Sequence, residues 1–280
     1  MSVTNNDIRS FLSLSPSDKE FNIIQVDSLD VNYNTLMFIN KPDINLERLD
    51  NSEHCVYLIN ESYPELQSKR NDFIRVKNPK FTFCLVVSKF ELLSRLQRIH
   101  TDNLSKSDYL RYLPNIYCKE IIIGRNCWID HGVILGGIDF SPVLGYDAET
   151  IVQFPQLGGV LIGNNVVIKY NTMVGRGTFN YTKIGDNTQI DFGCQIGHNC
   201  IIGKSCIIAA GTIIGGSTVI GDHTVIGIGA KIRNGIKIGK NVSIGMGAVV
   251  IRDIPDNSVV VGNPAHIIDH KKIFDEGGLI

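Results

Sequence analysis

The residue of this sequence best suited to do chemistry is His198, in the run DFGCQIGHNC. A neutral imidazole accepts a proton near pH 7, so His198 is a candidate general base. Asp191 lies seven residues earlier and is the expected carboxylate partner, which would hold one tautomer of the ring. His131, in WIDHG, is a weaker candidate. The other histidines are interpreted as ordinary surface residues: His54, His100, His223, His266 and His270.

A repeat of six residues indicates the element that positions His198. The same slot is filled by Ile184, Ile190, Ile196, Ile202, Ile208, Ile214, Ile220, Ile226, Ile232, Ile238, Ile244 and Val250. Such a register does not fit a helix of 3.6 residues per turn, and it predicts a parallel β-solenoid. Each hexad forms one flat side, and eighteen residues complete a three-sided coil. Residues eighteen apart then stack, which places Gly216 one coil from His198.

The organisation along the chain is predicted to be mainly β, with a small α/β domain before the solenoid. Residues 1–113 form that domain and end in a helical connector, residues 114–265 form the solenoid, and residues 266–280 form a short tail. The repeat stops over residues 136–159, which are expected to loop outward because the lumen is full. Long loops in regular scaffolds are commonly functional. Phe154 and Gln156 in this loop are therefore expected to bind substrate.

Composition excludes several classes of protein. The formal net charge of −1 is too balanced for a dedicated nucleic-acid binder. The sequence shows neither a signal peptide nor an apolar run long enough to span a bilayer, so we expect a cytoplasmic protein. The seven cysteines lack C-x-x-C spacing, and three occupy the small-residue slot of the solenoid. They are interpreted as reduced core residues.

Four segments carry a resemblance to a known family. LMFINKPD, FIRVKNPKFTF, FPQLGGVLIGNNVVI and TQIDFGCQIGHNCIIG are similar to segments of the left-handed β-helix acyltransferases, most closely UDP-3-O-acylglucosamine N-acyltransferase. The resemblance implies a left-handed β-helix and a nucleotide-binding N-terminal domain that uses Asn40. It also implies that His198 is the general base, Asp191 its partner and the Gly216 N–H the oxyanion donor. A homotrimer, in which neighbouring subunits form the cleft, is expected as well.

The sequence departs from that family at three places. Asp43 stands where the family has an aromatic residue, Gly235 stands where it has a second histidine, and the C-terminal helices that dock acyl carrier protein are missing. Instead, VIRDIPDNSVVVGNPAHII is similar to the end of coenzyme A-dependent hexapeptide acetyltransferases. This second resemblance implies an acyl-CoA donor. Gly229 and Gly247, eighteen residues apart, would admit its pantetheine arm, and Arg252 would meet a phosphate.

The function predicted from these features is acyl transfer without a metal or a permanent cofactor. A short acyl group, expected to be acetyl, would pass from acyl-CoA to the amine of a nucleotide-linked amino sugar, in surface polysaccharide or lipopolysaccharide synthesis. The alternative is an acyl-carrier-protein-dependent enzyme of lipid A synthesis. A zinc hydratase on the same solenoid needs a close histidine pair that His131, His198 and His223 do not form. A non-catalytic scaffold is the remaining class. The sequence leaves open the sugar, its base, the acyl length, and whether nitrogen or oxygen is acylated.

Overall fold

The chain folds into two units in a computed structural model. The first comprises Met1–Gln97 and Phe140–Pro155, and the second comprises Arg98–Asp139 and Gln156–Ile280. The structure describes residues 3–18, 20, 22–23, 25–26, 35–39, 52–63, 66, 70–90, 115–116, 118, 120–145 and 149–268. Asn40 and residues 91–113, which include the predicted helical connector, lie outside the described residues.

The secondary structure is mostly short strands. In chain order, the elements are β1 (Val3–Thr4), α1 (Asn5–Phe11), β2 (Asn22–Ile23), β3 (Gln25–Val26), β4 (Thr35–Ile39), β5 (Val56–Asn60), β6 (Asp72–Val76), α2 (Pro79–Lys89), β7 (Asn115–Ile116), β8 (Ile121–Ile123), β9 (Trp128–Ile129), β10 (Ile134–Gly137), β11 (Pro142–Leu144), β12 (Ile151–Gln153), β13 (Gly159–Ile162), β14 (Val167–Ile168), β15 (Met173–Gly175), β16 (Tyr181–Ile184), β17 (Gln189–Ile190), β18 (Gln195–Ile196), β19 (Ile201–Ile202), β20 (Ile207–Ile208), β21 (Ile213–Ile214), β22 (Val219–Ile220), β23 (Val225–Ile226), β24 (Lys231–Ile232), β25 (Lys237–Ile238), β26 (Ser243–Ile244), β27 (Val249–Val250), β28 (Val259–Val261) and β29 (His266–Ile268).

The N-terminal unit contains a parallel sheet in the order β3-β4-β5-β6. Its strands are rich in buried apolar residues, as parallel strands covered on both faces require. Helix α2 packs on this sheet and contributes the fully buried Phe83. Strands β11 and β12 pair antiparallel and also belong to this unit. The predicted α/β character of the N-terminal region is confirmed.

The second unit is the predicted parallel β-solenoid. Face 1 stacks β7, β10, β15, β18, β21, β24 and β27. Face 2 stacks β8, β13, β16, β19, β22 and β25. Face 3 stacks β9, β14, β17, β20, β23, β26, β28 and β29. All these pairings are parallel except the last, between β28 and β29. We call the turns from face 1 to face 2 corner 1, those from face 2 to face 3 corner 2, and those from face 3 to face 1 corner 3.

The lumen is filled by the isoleucine slot, whose members from Ile184 to Val250 are each at most 3% exposed. The small residues four positions later are fully buried and close the corners, as at Thr188, Cys194 and Cys200. Burial raises the pKa of the Cys200 thiol to about 12, so this thiol is protonated and packs as an apolar group. The hexad interpretation is therefore confirmed both in strand register and in burial.

Hydrogen bonds from polar side chains connect successive coils at corner 2. Side chains of one coil accept hydrogen bonds from turn amides of the preceding coil: Asp186 Oδ1 from the Asn164 N–H at 2.8 Å and Asp222 Oδ1 from the Lys204 N–H at 2.9 Å. These amide donors favour the ionised carboxylates, and they lower the pKa of Asp186 and Asp222. A column of left-handed residues, mostly asparagine, runs beside them, as at Asn187 with φ 59°.

The two longest departures from the hexad register among the described residues lie at corner 1. One is residues 138–158, between β10 and β13, and the other is residues 176–180, between β15 and β16. The expectation of a loop over 136–159 is wrong at its ends and in its middle. Gly137 and Gly159 are strand residues, and β11 and β12 form a hairpin between them. The hairpin forms because Val143 and Val152 pair directly and Phe154 packs with the aromatic residues of the N-terminal unit.

Candidate active site

The candidate site lies at corner 1 of the solenoid, around His198. The turn that carries His198 follows β18, and its next residue, Asn199, adopts φ 57°. Asn199 is tied to the preceding corner because its Oδ1 accepts a 2.7 Å hydrogen bond from the Thr178 N–H and its Nδ2 donates to Thr178 Oγ1 at 2.9 Å. The side chain of His198 is 27% exposed. The turn therefore presents an imidazole that is fixed in position but accessible to solvent.

The imidazole is held by Asp139. The Nδ1 atom of His198 lies 3.0 Å from Asp139 Oδ2, and the backbone N–H of His198 donates to the same oxygen at 2.6 Å. A carboxylate accepts only, so this contact favours the tautomer with the proton on Nδ1. The structure gives Nε2 no hydrogen-bond partner among the described residues. The lone pair of Nε2 is then available to accept a proton, as a general base requires.

Gly216 lies directly against the His198 ring, as the stacking rule predicts. The register pairs β18 with β21, so residues 198 and 216 occupy the same position in successive coils. A Cβ added to Gly216 would lie 2.5 Å from Cε1, 2.7 Å from Nδ1 and 2.9 Å from Nε2 of the ring. Only glycine therefore fits under the imidazole in this position. The N–H of Gly216 has no hydrogen-bond partner in the part of the chain that the structure describes, and it can donate to a ligand.

The predicted pairing of Asp191 with His198 is wrong within this chain. Asp191 follows β17 and lies at corner 3, whereas His198 lies at corner 1, at the other end of β18. The Asp191 carboxylate accepts a 2.8 Å hydrogen bond from the Phe192 N–H through Oδ1. A full side of the triangle separates the two residues, and Asp139 occupies the position beside Nδ1.

The structure also places the predicted substrate-binding residues of the insertion in packed surroundings. Phe154 is 6% exposed, and its ring stacks on Phe83 at 5.8 Å and meets Phe38 edge-on at 5.8 Å. Gln156 is 2% exposed, and its Oε1 accepts a 2.8 Å hydrogen bond from the Asp139 N–H. One side chain forms part of an aromatic core and the other contacts Asp139, and substrate binding by these two residues stays a prediction.

The predicted donor-binding residues fall at two different corners. Gly229 and Gly247 occupy equivalent left-handed positions at corner 3, with φ of 68° and 66°, and a Cβ on either would meet nothing within 4 Å. Arg252 lies at corner 1 instead and is exposed. Its position in the register matches that of His198 three coils away, through the pairings of β18, β21, β24 and β27. At about 4.8 Å per strand, this separation is about 14 Å along the solenoid.

Asp139 is the residue of the candidate site that sequence reasoning missed. It lies 59 residues before His198, where the hexad register has already stopped, so no spacing rule connects the two. One signal was present in the sequence. Asp139 is the first acidic residue after the repeat breaks at Gly136–Gly137, and a break in a solenoid marks the place where a side chain is brought in from outside the coil.

Two negative findings concern the described residues. Among them, no three His, Cys, Asp or Glu side chains come together as a set that could hold a metal ion. No helix within the same residues has the length and apolar character needed to cross a membrane.

Comparison with known proteins identifies the repeat. Residues 181–216 and 217–252 match the model of the bacterial transferase hexapeptide (six repeats) family. The UDP-3-O-acylglucosamine N-acyltransferase of Shewanella denitrificans is 45% identical over 74 residues, which are 26% of this chain and 21% of that protein. The enzyme of the same name from Caulobacter vibrioides is 39% identical over 83 residues, 30% of this chain and 24% of that protein. The chain thus spans at most 24% of the length of these two curated relatives.

Solved structures give similar matches. LpxA, a UDP-N-acetylglucosamine acyltransferase from Bacteroides fragilis, is 23% identical, with a TM-score of 0.47 over 55% of this chain and 58% of that chain. PerB from Caulobacter crescentus, in complex with CoA and GDP-perosamine, is 22% identical, with a TM-score of 0.33 over 56% and 54% of the two chains. The repeats matched by the family model, residues 181–252, contain both His198 and Gly216.

Proposed function

We propose that this chain, whose solenoid carries the bacterial transferase hexapeptide repeat, is an acyltransferase that acylates the amine of a nucleotide-linked amino sugar. The observation that carries the proposal is the arrangement of His198. Its Nδ1 lies 3.0 Å from Asp139, its ring lies over Gly216, and its Nε2 has no partner among the described residues. A base with an adjacent free N–H matches the needs of acyl transfer.

The proposed mechanism needs only these groups. The amine nitrogen attacks the carbonyl carbon of a thioester while Nε2 of His198 takes one proton from it. Asp139 stabilises the imidazolium that forms, and the Gly216 N–H donates to the oxyanion. When the intermediate collapses, the C–S bond breaks, and the thiolate takes the proton from His198. The products are an amide and a free thiol, and His198 returns to its neutral form.

Acyl-CoA is the proposed donor. The segment VIRDIPDNSVVVGNPAHII resembles the end of CoA-dependent enzymes, and Arg252 within it shares the column of His198 at about 14 Å. A guanidinium at that distance suits a phosphate of a donor whose thioester lies at His198. Gly229 and Gly247 leave open space at corner 3, where an extended pantetheine arm would approach the backbone.

An acyl-carrier-protein-dependent enzyme is the second candidate. It is favoured by the 45% identity over 74 residues to a protein named UDP-3-O-acylglucosamine N-acyltransferase. The acceptor sugar and its nucleotide are part of the proposal in both cases. They rest on the similarity of LMFINKPD and FIRVKNPKFTF to a nucleotide-binding domain.

We further propose a homotrimer in which corner 3 of one subunit faces corner 1 of the next. Corner 3 exposes a run of large apolar side chains: Tyr170, Phe192, Ile228 and Met246 are 42%, 47%, 60% and 64% exposed. A three-fold axis parallel to the solenoid preserves height, so Asp191 and Phe192 of a neighbouring subunit would lie at the level of His198. In that arrangement, Asp191 would contribute to the site from the adjacent subunit.

The test is an assay of thiol release with acetyl-CoA and with acetylated acyl carrier protein, each against a panel of nucleotide-linked amino sugars. Mass spectrometry of the sugar identifies the product. CoA-dependent acetylation of one sugar, strongly reduced in His198→Ala, is the expected result. Turnover only with the carrier protein would favour the second candidate. No turnover with any pair, or turnover at the wild-type rate in His198→Ala, would overturn the mechanism.

A further inference from the structure

The carboxylate of Asp139 is not positioned by the repeat, and the structure shows what holds it. Asp139 lies at the start of the segment that leaves β10, two residues beyond Gly137. A side chain on such a segment would be poorly fixed without support, and catalytic geometry tolerates little displacement. The contacts around it therefore bear on how His198 is oriented.

Arg176 is the first part of this support. Its Nε donates to the Gly136 carbonyl at 2.8 Å and its Nη1 donates to the Gln156 carbonyl at 3.4 Å, so one guanidinium contacts the chain on both sides of the insertion. Its backbone N–H donates to the Gly137 carbonyl at 3.0 Å. By strand register, Arg176 occupies the position of His198 in the preceding coil. Burial lowers the pKa of Arg176, which indicates that its charge is partly withdrawn from water.

Gln156 is the second part. It is the first residue of the second unit after the insertion, it is buried, and its Oε1 accepts the Asp139 N–H at 2.8 Å. A series of hydrogen bonds thus connects the Arg176 guanidinium to the Gln156 carbonyl and the Gln156 side chain to the Asp139 N–H. The Asp139 carboxylate in turn contacts the backbone nitrogen and Nδ1 of His198 through its Oδ2. The space on the other side of the carboxylate is limited, since a Cβ on Gly175 would lie 2.5 Å from Asp139 Oδ1.

We infer that Arg176 and Gln156 form a clamp that positions Asp139 and thereby orients His198. This inference rests on the proposed function for its kinetic consequences, and it makes both clamp residues positioning residues that do not touch substrate. In the part of the chain that the structure describes, the charged and titratable groups around the clamp include Asp139, His198, Arg176 and the buried Cys118 thiol. Glu120 is also near and accepts a 2.7 Å hydrogen bond from the Tyr181 hydroxyl. Asp139 is the acidic group that contacts the imidazole.

Two variants at Gln156 test the clamp in opposite directions. Gln156→Leu removes the acceptor, and we expect kcat to fall about 10- to 100-fold with the KM values for both substrates nearly unchanged. The midpoint of the rise of kcat/KM with pH should move to lower pH, because a displaced Asp139 stabilises the protonated ring less. Gln156→Glu keeps an acceptor and adds negative charge near the imidazole, so its midpoint should move to higher pH while most of kcat is retained.

Arg176→Lys tests the other half of the clamp. A lysine cannot contact both carbonyls with a planar fork, so we expect a fall in kcat of the same order as for Gln156→Leu. The matched controls are Arg233→Lys and Gln195→Leu, which are exposed at the same corner and on face 1. Neither control should change kcat or the pH midpoint. If Arg176→Lys does not fold, the Gln156 pair still decides the question.

Crystal structures of Gln156→Leu and Arg176→Lys supply a readout that needs no activity. The separation between Asp139 and His198 Nδ1 should exceed hydrogen-bonding distance, and the rate of His198 modification by diethyl pyrocarbonate should change. If the wild-type protein turns over no tested substrate, the proposed function fails, and these two measurements still decide the clamp. An intact Asp139–His198 contact in the Gln156→Leu crystal structure, or an unmoved pH midpoint in an active enzyme, would overturn it.

Discussion

Substituting Gly216 by alanine probes the site with a single methyl group. The added Cβ would lie 2.5 to 2.9 Å from three atoms of the His198 ring, whereas ordinary contact begins at 3.4 Å. The ring must therefore retreat by about 1 Å to restore van der Waals distance. The φ of Gly216 is not in the left-handed region, so alanine imposes no backbone strain. The N–H at this position is preserved, and the substitution isolates the position of the imidazole.

A displacement of about 1 Å at a catalytic group costs about 100-fold in rate, or about 2.7 kcal/mol of transition-state stabilisation. We expect that loss in kcat for Gly216→Ala, with KM for both substrates little changed. The assay is thiol release under saturating sugar, accompanied by thermal unfolding to confirm that the fold is retained. Asn234→Ala is the matched control, since Asn234 occupies the same column one coil further and is exposed. If kcat of Gly216→Ala stays within about threefold of the wild-type value, the rate does not depend on the position of the His198 ring, and this reasoning is refuted.

Four further predictions follow from the same geometry. His198→Ala should lower kcat by about 10²- to 10⁴-fold with the fold intact, and Asp139→Asn should cost more than Asp191→Asn, which steady-state kinetics of the three variants would measure. Gly229→Trp should raise KM for acyl-CoA far more than KM for the sugar, and Arg252→Ala should do so more mildly and more visibly at low salt; equal effects on both KM values would contradict the donor site. Light scattering at micromolar concentration should give the mass of a trimer, and a monomer would remove the interface proposal. Thr182 Oγ1 is buried with no hydrogen-bond partner among the described residues, so Thr182→Val should raise the free energy of unfolding by about 1 kcal/mol. Thr188→Val loses a 2.9 Å hydrogen bond to the Gly203 carbonyl and should lower the free energy of unfolding by about 1 kcal/mol. Chemical denaturation of the two variants would show the opposite signs.

The solenoid could be predicted from the sequence because its information is periodic. A six-residue register fixes which side chains enter the lumen, and the same register predicts the stacking of Gly216 under His198. The register also separates Asp191 from His198 by one side of the triangle, as the structure shows. Their predicted pairing came instead from the family resemblance and from the assumed reach of the carboxylate, which the periodicity does not describe.

Asp139 could not be predicted, for the opposite reason. It reaches His198 from a segment with no periodicity, and its position depends on Gln156 and Arg176, which lie on the far side of the insertion. Gln156 and Phe154 showed a related limit. Their presence in an inserted segment suggested substrate contact, but the sequence did not indicate that both side chains are buried. Contacts between segments distant in sequence and without a shared register are what single-sequence reasoning lacks.

At corner 2, the hydrogen bonds from turn amides to carboxylate side chains point the same way along the solenoid axis, from one coil to the following coil. Several turn amides at this corner donate to a carboxylate from the following coil, as Lys204 N–H does to Asp222 and Lys240 N–H does to Asp256. During synthesis, a coil therefore remains incompletely bonded until its successor emerges from the ribosome, and the most recent coil is always a template for another. On face 3, this propagation stops at β28, because β29 pairs with it antiparallel. The free edge of β28 on that face is thus already paired within the chain, and β29 is the strand that ends the sheet.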